Sequence, residues 1–391
     1  MTTTDRGAIS GRDTSGLTRR DAVLSTVAGA GTLTVTGSVF AAEATPGLRD
    51  IAARRGFRFG TAVGMTSRVQ RQGAFFDPQY RVCMERDCNL LVPENELKMY
   101  AIQNAPGDFS FEPADAILAY AGAHGMAVRG HTLLWARDEY TPAWLKSQDF
   151  GPSPAVAAEA LLRDYILHVV QRYGEEITSW DVVNEAVNPT TGRLRSNVFT
   201  RQLGPRALAF AFQQARSLLP HTTLVYNDYM SWEAGNESHC QGVLDLLRWF
   251  RKHDVPVDAL GVQSHLGTGF DLAGGQLSAW RAFIDEVTSM GFGLLITELD
   301  VNDQSPDRDV RKRDARNALI LREYLDLMFS YRQLKDVLVW GLASKYSWLQ
   351  TFTPRADKAP LRPTLYDADF RPTALRAALA DAFEHAATRR T

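Results

Sequence analysis

The chain predicts an α/β fold, a single-domain (β/α)8 barrel of the TIM type, on three observations. Eight short apolar runs, each bounded by polar residues, alternate with longer amphipathic stretches. Nearly every run ends in acidic, amide, imidazole or indole side chains, as the active rim of such barrels does. The doubly wound alternative would carry a Gly-rich phosphate loop after its first strand, and Phe59-Gly60-Thr61-Ala62-Val63-Gly64 lacks the GxGxxG spacing.

The eight strands are read, in order, at Phe57–Val63, Asn89–Pro93, Ala127–Leu133, Ser179–Val183, Thr223–Asn227, Ala259–Gln263, Gly293–Glu298 and Val337–Trp340. Uninterrupted apolar runs of this length suit parallel strands buried on both faces. Amphipathic helices are read at Ala114–His124, Ala155–Tyr173, Gly204–Leu219, Cys240–His253, Leu277–Met290 and Asp314–Phe329. The charged tract Ser305–Arg316 alternates in sign and reads as a solvated helix start.

A segment at the front stands apart. Arg19-Arg20-Asp21 precedes a moderately apolar stretch, 22–42, and then Ala42-Glu43-Ala44. This is the pattern of a twin-Arg export signal with a small-x-small cleavage site. Nine Ser, Thr and Gly residues make the stretch too polar for a stable membrane span. Residues 1–44 are therefore expected to be an export signal peptide and 45–391 the barrel. The location is periplasmic or secreted, with no membrane attachment after cleavage.

The 391 residues are 45% hydrophobic and 23% charged, with a net charge of -2. That composition is ordinary for a globular protein and offers no basic field for nucleic acid. Cys83, Cys88 and Cys240 are an odd number, without CxxC or Cys/His metal spacing, and are read as free and buried thiols. No metal is expected.

The chemistry is concentrated at two carboxylates. Glu185 ends Trp180-Asp181-Val182-Val183-Asn184-Glu185-Ala186, and Glu298 sits in Leu294-Leu295-Ile296-Thr297-Glu298-Leu299-Asp300. Two carboxylates from different strands are what glycoside hydrolysis requires, one as acid and one as nucleophile or base. The other strand ends supply Glu94, Asn95 and Lys98; His131 and Trp135; Asn227 and Tyr229; Gln263 and His265; and Trp340 with Trp348.

These motifs, from about Leu48 to Phe383, resemble glycoside hydrolase family 10, whose best-known members are endo-β-1,4-xylanases. The resemblance implies a retaining mechanism on xylan or a related β-1,4-glycan, without cofactor. Glu185 would be acid/base and Glu298 nucleophile. Asn184 would bind the 2-hydroxyl beside the cleaved bond, while His265, oriented by Asp300, would keep Glu298 ionised. Lys98 and His131 would hold the 3-hydroxyl side of that sugar, and Glu94 and Asn95 the next sugar. Trp135, Trp340 and Trp348 would be the walls on which rings stack, with Asn227, Tyr229 and Gln263 also binding substrate. A monomer is expected. The same chemistry on a β-glucan or bacterial exopolysaccharide is one alternative, and a catalytically silent carbohydrate-binding barrel is another.

The chain also departs from the family pattern. Ala136 and Asp138 replace a His and a Gln after the third-strand motif, the Gln being one that helps exclude a hydroxymethyl group. Met99, Met230 and Ser344 replace a Trp, an Asn and an Asp. All are read as changes in the substrate cleft. Arg137 and Arg355 are the charges offered to a uronic-acid substituent, with a solvated loop charge as the bland alternative.

Overall fold

The computed structural model describes residues 46–267 and 275–389. The export-signal reading of 1–44 lies outside the described residues. Eight parallel strands form the barrel: β1 Arg58–Val63, β2 Leu90–Pro93, β3 Ala127–Trp135, β4 Ile177–Asn184, β5 Thr223–Asp228, β6 Ala259–Val262, β7 Gly293–Asn302 and β8 Leu334–Val339. Each pairs with its sequence neighbour. β8 closes the ring by pairing with both β7 and β1, so no barrel strand has a free edge.

Helices follow the strands, including Pro78–Asp87, Glu112–Ala123, Pro154–Tyr173, Arg206–Leu218, Glu237–Lys252, Gln276–Ser289, Val310–Met328 and Ala374–His385. Alternate strand residues serve different layers. Phe59, Val63 and Leu91 pack outward into the main strand–helix core. Ala62, Leu90, Val92 and Leu338 form a separate cluster, as do Val225, Ala259 and Leu295, which fill the ring from within.

Several strand boundaries differ from the sequence reading, and three of them have a local reason. β3 runs on to Trp135, whose register partner is Asn184. β7 continues past Glu298 to Asn302, because its last residues pair with the short strand His265–Gly267. β8 starts at Leu334, three residues early. Its start is masked by Lys335-Asp336, a pair that looks like loop. Asp336 is tolerated there because Arg58 Nε donates to it at 2.7 Å across the strand pair.

The charged tract also needs correction. Asp309 caps the helix, accepting from the Arg311 N–H at 2.8 Å. But Arg313 is buried, with its Nε 2.9 Å from the buried Asp303 carboxylate. One face of that helix start is therefore an internal ion pair, not a solvated surface. All three cysteines are free as read, although Cys240 is half-buried rather than buried.

Register is what brings the functional side chains together. Gly130 lies opposite Trp180. A Cβ at Gly130 would stand 2.2 Å from the indole Cε3, so only glycine lets β3 and β4 close around this buried ring. Gly130→Ala is expected to destabilise the fold by about 1–3 kcal/mol through overpacking, read as a lower urea midpoint. An unchanged midpoint would show that the indole moves freely.

Candidate active site

Asn184 at the end of β4 pairs in register with Asn227 of β5. The chain then turns at Glu185, whose φ of 55° lies in the left-handed region that a non-glycine residue rarely enters. Its N–H is anchored to the Asn227 carbonyl at 2.8 Å. Strain of this kind persists only where surrounding contacts dictate it, and here it aims the carboxylate into the cleft.

Side-chain amides span the two carboxylates. Glu185 Oε1 accepts from Gln263 Nε2 at 3.1 Å and Asn184 Nδ2 at 3.3 Å. Asn227 Nδ2 donates both to Asn184 Oδ1 at 2.9 Å and to Glu298 Oε1 at 2.8 Å. Asn227 itself is fixed by Thr297 Oγ, which donates to its Oδ1 at 2.7 Å. Asn227 is fully buried and Gln263 almost so. Both were read as substrate-binding; the structure shows their amides engaged with the carboxylates.

The other oxygen of Glu298 lies 3.3 Å from His265 Nε2. His265 Nδ1 lies 2.9 Å from Asp300 Oδ1, and Asp300 Oδ2 accepts from Trp348 Nε1 at 2.9 Å. Burial alone would favour neutral histidine, but the Asp300 carboxylate and the hydrogen bond to Glu298 push it up to about 10. Burial likewise opposes ionisation of Glu298. The His265 hydrogen bond, with the charges of His131, His265 and Lys98, outweighs it and holds this carboxyl below the usual range. Glu298 is thus an ionised, dry carboxylate, the state a nucleophile needs.

A second histidine–aspartate pair mirrors the first. His131 Nδ1 lies 2.8 Å from Asp181 Oδ2, and Arg129 is hydrogen-bonded to the other Asp181 oxygen. Asp181 and Arg129 were missed from sequence. A charged residue inside a buried strand must have a partner, and that was the available signal. Lys98 stands 4.5 Å from the Trp135 ring centre and 5.9 Å from that of Trp340. Burial draws its ammonium down, opposed by the charges of Glu298, Glu94 and Glu185. Lys98 Nζ and Tyr100 OH donate to Asn95 Oδ1 at 3.4 and 2.9 Å. Burial pushes the Glu94 carboxyl up to about 7, against the pull of the Lys98 charge.

The aromatic walls are only partly as read. Trp340 packs edge-on to His131, and Trp348 edge-on to His265. Trp135 is covered on one face by Tyr140, stacked at 3.8 Å. Lys98 therefore takes the other face, leaving Trp135 no free face for a sugar ring. Tyr229 OH accepts from Arg195 Nη2 at 2.6 Å.

Several substitutions read as cleft changes lie beneath it. Ala136 and Met230 are buried in packing, and Ser344 hydroxyl bonds the Tyr366 carbonyl at 3.0 Å. Asp138 accepts from the Val198 N–H at 2.9 Å and pairs with Arg201, so it braces a loop. Arg355 is buried and donates to the carbonyls of Asp303 and Ser305 at 3.0 and 2.7 Å, which removes it from any role toward substrate. Arg137 does face the cleft, with Nη1 3.2 Å from Glu185 Oε2.

An ionised carboxylate on one strand end, joined by amides to a second carboxylate on another, is the machinery of a glycoside hydrolase. The comparisons agree. Residues 47–382 match the profile of glycosyl hydrolase family 10. Endo-1,4-beta-xylanase B of Paenibacillus barcinonensis is 30% identical over 326 residues, 81% of this chain and 92% of its own. Endo-1,4-beta-xylanase 3 of Hypocrea jecorina is 29% identical over 338 residues, 86% of each chain. The solved structure of xylanase 10B from Thermotoga petrophila RKU-1 in complex with xylobiose superposes with a TM-score of 0.77 at 25% identity, covering 87% of this chain and 98% of that one. The chain belongs to glycosyl hydrolase family 10.

The His265 shift fixes the sign of a pH effect. With a folded value near 10 against an unfolded ~6.5, the folded state holds the extra proton. The stability this brings is whole below the unfolded value and is lost as pH rises through the folded one. Asp300→Asn is expected to lower stability more at pH 7 than at pH 10.5, measured by urea unfolding at both. An equal loss would mean that His265 is neutral.

Proposed function

We propose that the chain is an exported endo-β-1,4-xylanase that cleaves xylan with retention of configuration. The observation that carries the mechanism is the short amide path from Glu185 through Asn184 and Asn227 to Glu298, each step 2.8–3.3 Å. The path ties both carboxyls into one hydrogen-bonded frame, as a retaining pair held roughly 5–5.5 Å apart requires. Glu298, kept ionised by His265, attacks the anomeric carbon. Glu185 gives its proton to the departing glycosidic oxygen. Glu185 then takes a proton from the water that releases the sugar from Glu298. The Asn184 amide, which donates to Glu185 and accepts from Asn227, is placed at the 2-hydroxyl of the reacting sugar.

The choice of xylan is supported by the relatives above, each named as a xylanase. Export is supported by Arg19-Arg20 and the Ala42-Glu43-Ala44 site. The chain as it would leave the signal starts at Thr45. Among the described residues no helix is long and apolar enough to cross a membrane.

Reducing-sugar release by the chain from Thr45 on glucuronoxylan, arabinoxylan, mixed-linkage β-glucan and carboxymethylcellulose tests the substrate. Preferential release from the two xylans is expected, with Glu298→Ala as the blank. Release mainly from the glucans would overturn the xylan assignment. Glu185→Ala is expected to lose about 10²–10⁴-fold on xylan. It should lose far less on an aryl glycoside with a good leaving group, and azide should restore turnover. Equal losses on both substrates would remove Glu185 as the acid.

A further inference from the structure

Two guanidiniums beside Glu185 have no part in the chemistry just described. Arg137, on the loop after β3, reaches Glu185 Oε2 at 3.2 Å through Nη1, while its Nε donates to Glu139 at 2.7 Å. Arg195, on the loop after β4, is placed by its peptide N–H, which donates to the Ala186 carbonyl at 2.7 Å. The two loops are tied where Asn197 Nδ2 donates to the Ala136 carbonyl at 3.3 Å. Both arginine charges bear on Glu139 and on the Tyr229 hydroxyl.

This cluster lies on one side of the reaction centre. The charges that bear on Glu298 come from His131, His265 and Lys98. Arg137, Arg195 and Tyr229 gather instead at Glu185, the group that protonates the departing oxygen, so they face the departing part of the polymer. With Glu185 protonated as the acid, two guanidiniums face the single Glu139 carboxylate, an excess of one positive charge. Arg195 is also unfinished: Nη2 donates to Tyr229 at 2.6 Å, but its shielded Nε has no hydrogen-bond partner. A shielded N–H without an acceptor is unfavourable, and a side-chain turn toward an acceptor in the cleft relieves it. A neutral xylose chain offers only hydroxyls and ring oxygens. The acceptor that matches both the charge and the fork geometry of a guanidinium is a carboxylate.

We propose that Arg195, backed by Arg137, receives the carboxylate of a uronic-acid branch carried on the departing portion of the xylan chain. The assignment rests on the xylanase reading above and adds an acidic-substituent subsite to it. Arg137 stays with Glu139 and supplies field, while Arg195 supplies the direct contact.

The test separates this subsite from the xylanase reading. Binding of a uronate-substituted xylo-oligosaccharide and of its carboxyl-reduced counterpart is measured by calorimetry on Glu298→Gln, so no turnover is needed. Hydrolysis of unsubstituted xylan by the unaltered enzyme reports the xylanase reading independently. The uronate form is expected to bind about tenfold tighter than the reduced form, a preference that weakens with salt. Adding Arg195→Gln should abolish the preference, and Arg195→Lys should keep part of it. Equal binding of the two forms overturns the proposal. So does an Arg195→Gln loss that is the same for both, which would mean that Arg195 merely holds Tyr229.

Discussion

The rest of the site depends on one shared amide. Asn227 Nδ2 is hydrogen-bonded at once to Glu298, the proposed nucleophile, and to Asn184, the neighbour of Glu185, the proposed acid. Two carboxyls in one dry cleft repel when both are ionised, and each would swing away if free to do so. The amides of Asn184, Asn227 and Gln263 prevent this by offering N–H donors to both from a common frame. They can do so because the β4–β5 register sets Asn184 against Asn227 and the β5–β6 register sets Asp228 against Val262, just before Gln263. A one-residue slip in either pair would turn these side chains to the opposite face. The barrel is thus the device that fixes the spacing, and the strained backbone at Glu185 is a local cost of aiming the acid inward.

Charge is distributed across this frame unevenly, and the unevenness assigns the roles. Glu298 has His265 on one oxygen, with His131 and Lys98 near. Each histidine is turned by its own buried aspartate, Asp300 for His265 and Asp181 for His131. Each aspartate orients its ring, and at His265 it also favours the charged form. Glu185 meets no histidine. Its donors are two neutral amides and one guanidinium on a flanking loop. This arrangement holds the Glu298 carboxyl below the usual range, whereas Glu185 is held by amides and by a guanidinium that a loop carries.

The sequence made the barrel and the placement of Glu185 and Glu298 at its strand ends legible for a common reason. A side chain at the C-terminal end of a buried strand has a fixed direction, so Glu185, Glu298, His265 and Lys98 were readable from the end of an apolar run. What escaped depended on contacts between elements. Asn227 looked like a sugar ligand because Asn-Asp-Tyr closes a strand, and nothing local says that its amide is consumed by Glu298. Trp135 looked like an open platform, since Tyr140 is not adjacent to it in sequence yet stacks on it. Arg355 looked like a loop charge, but the carbonyls it satisfies belong to residues some fifty positions earlier. The start of β8 was hidden by Asp336, whose partner Arg58 lies at the other end of the chain.

The same distinction explains why the reaction is easier to read than the substrate. Glu298, Glu185 and the groups that orient them sit on strands or one residue beyond, where register leaves little freedom. The groups on the departing side of Glu185 sit on loops after β3 and β4, braced by Asp138 on Val198 and by Asn197 on Ala136. In this chain the brace itself is built from positions that differ from the family pattern. Asp138 stands where a sugar-contacting Gln is usual, and it binds a backbone N–H of the neighbouring loop instead. Asp138 thus makes a contact between loops, and it is those loops that carry Arg137 and Arg195 to the flank of Glu185. Divergence in this protein is therefore not loss at the cleft edge. The chemistry stays on the strands while the loops above are re-tied around a different set of charges.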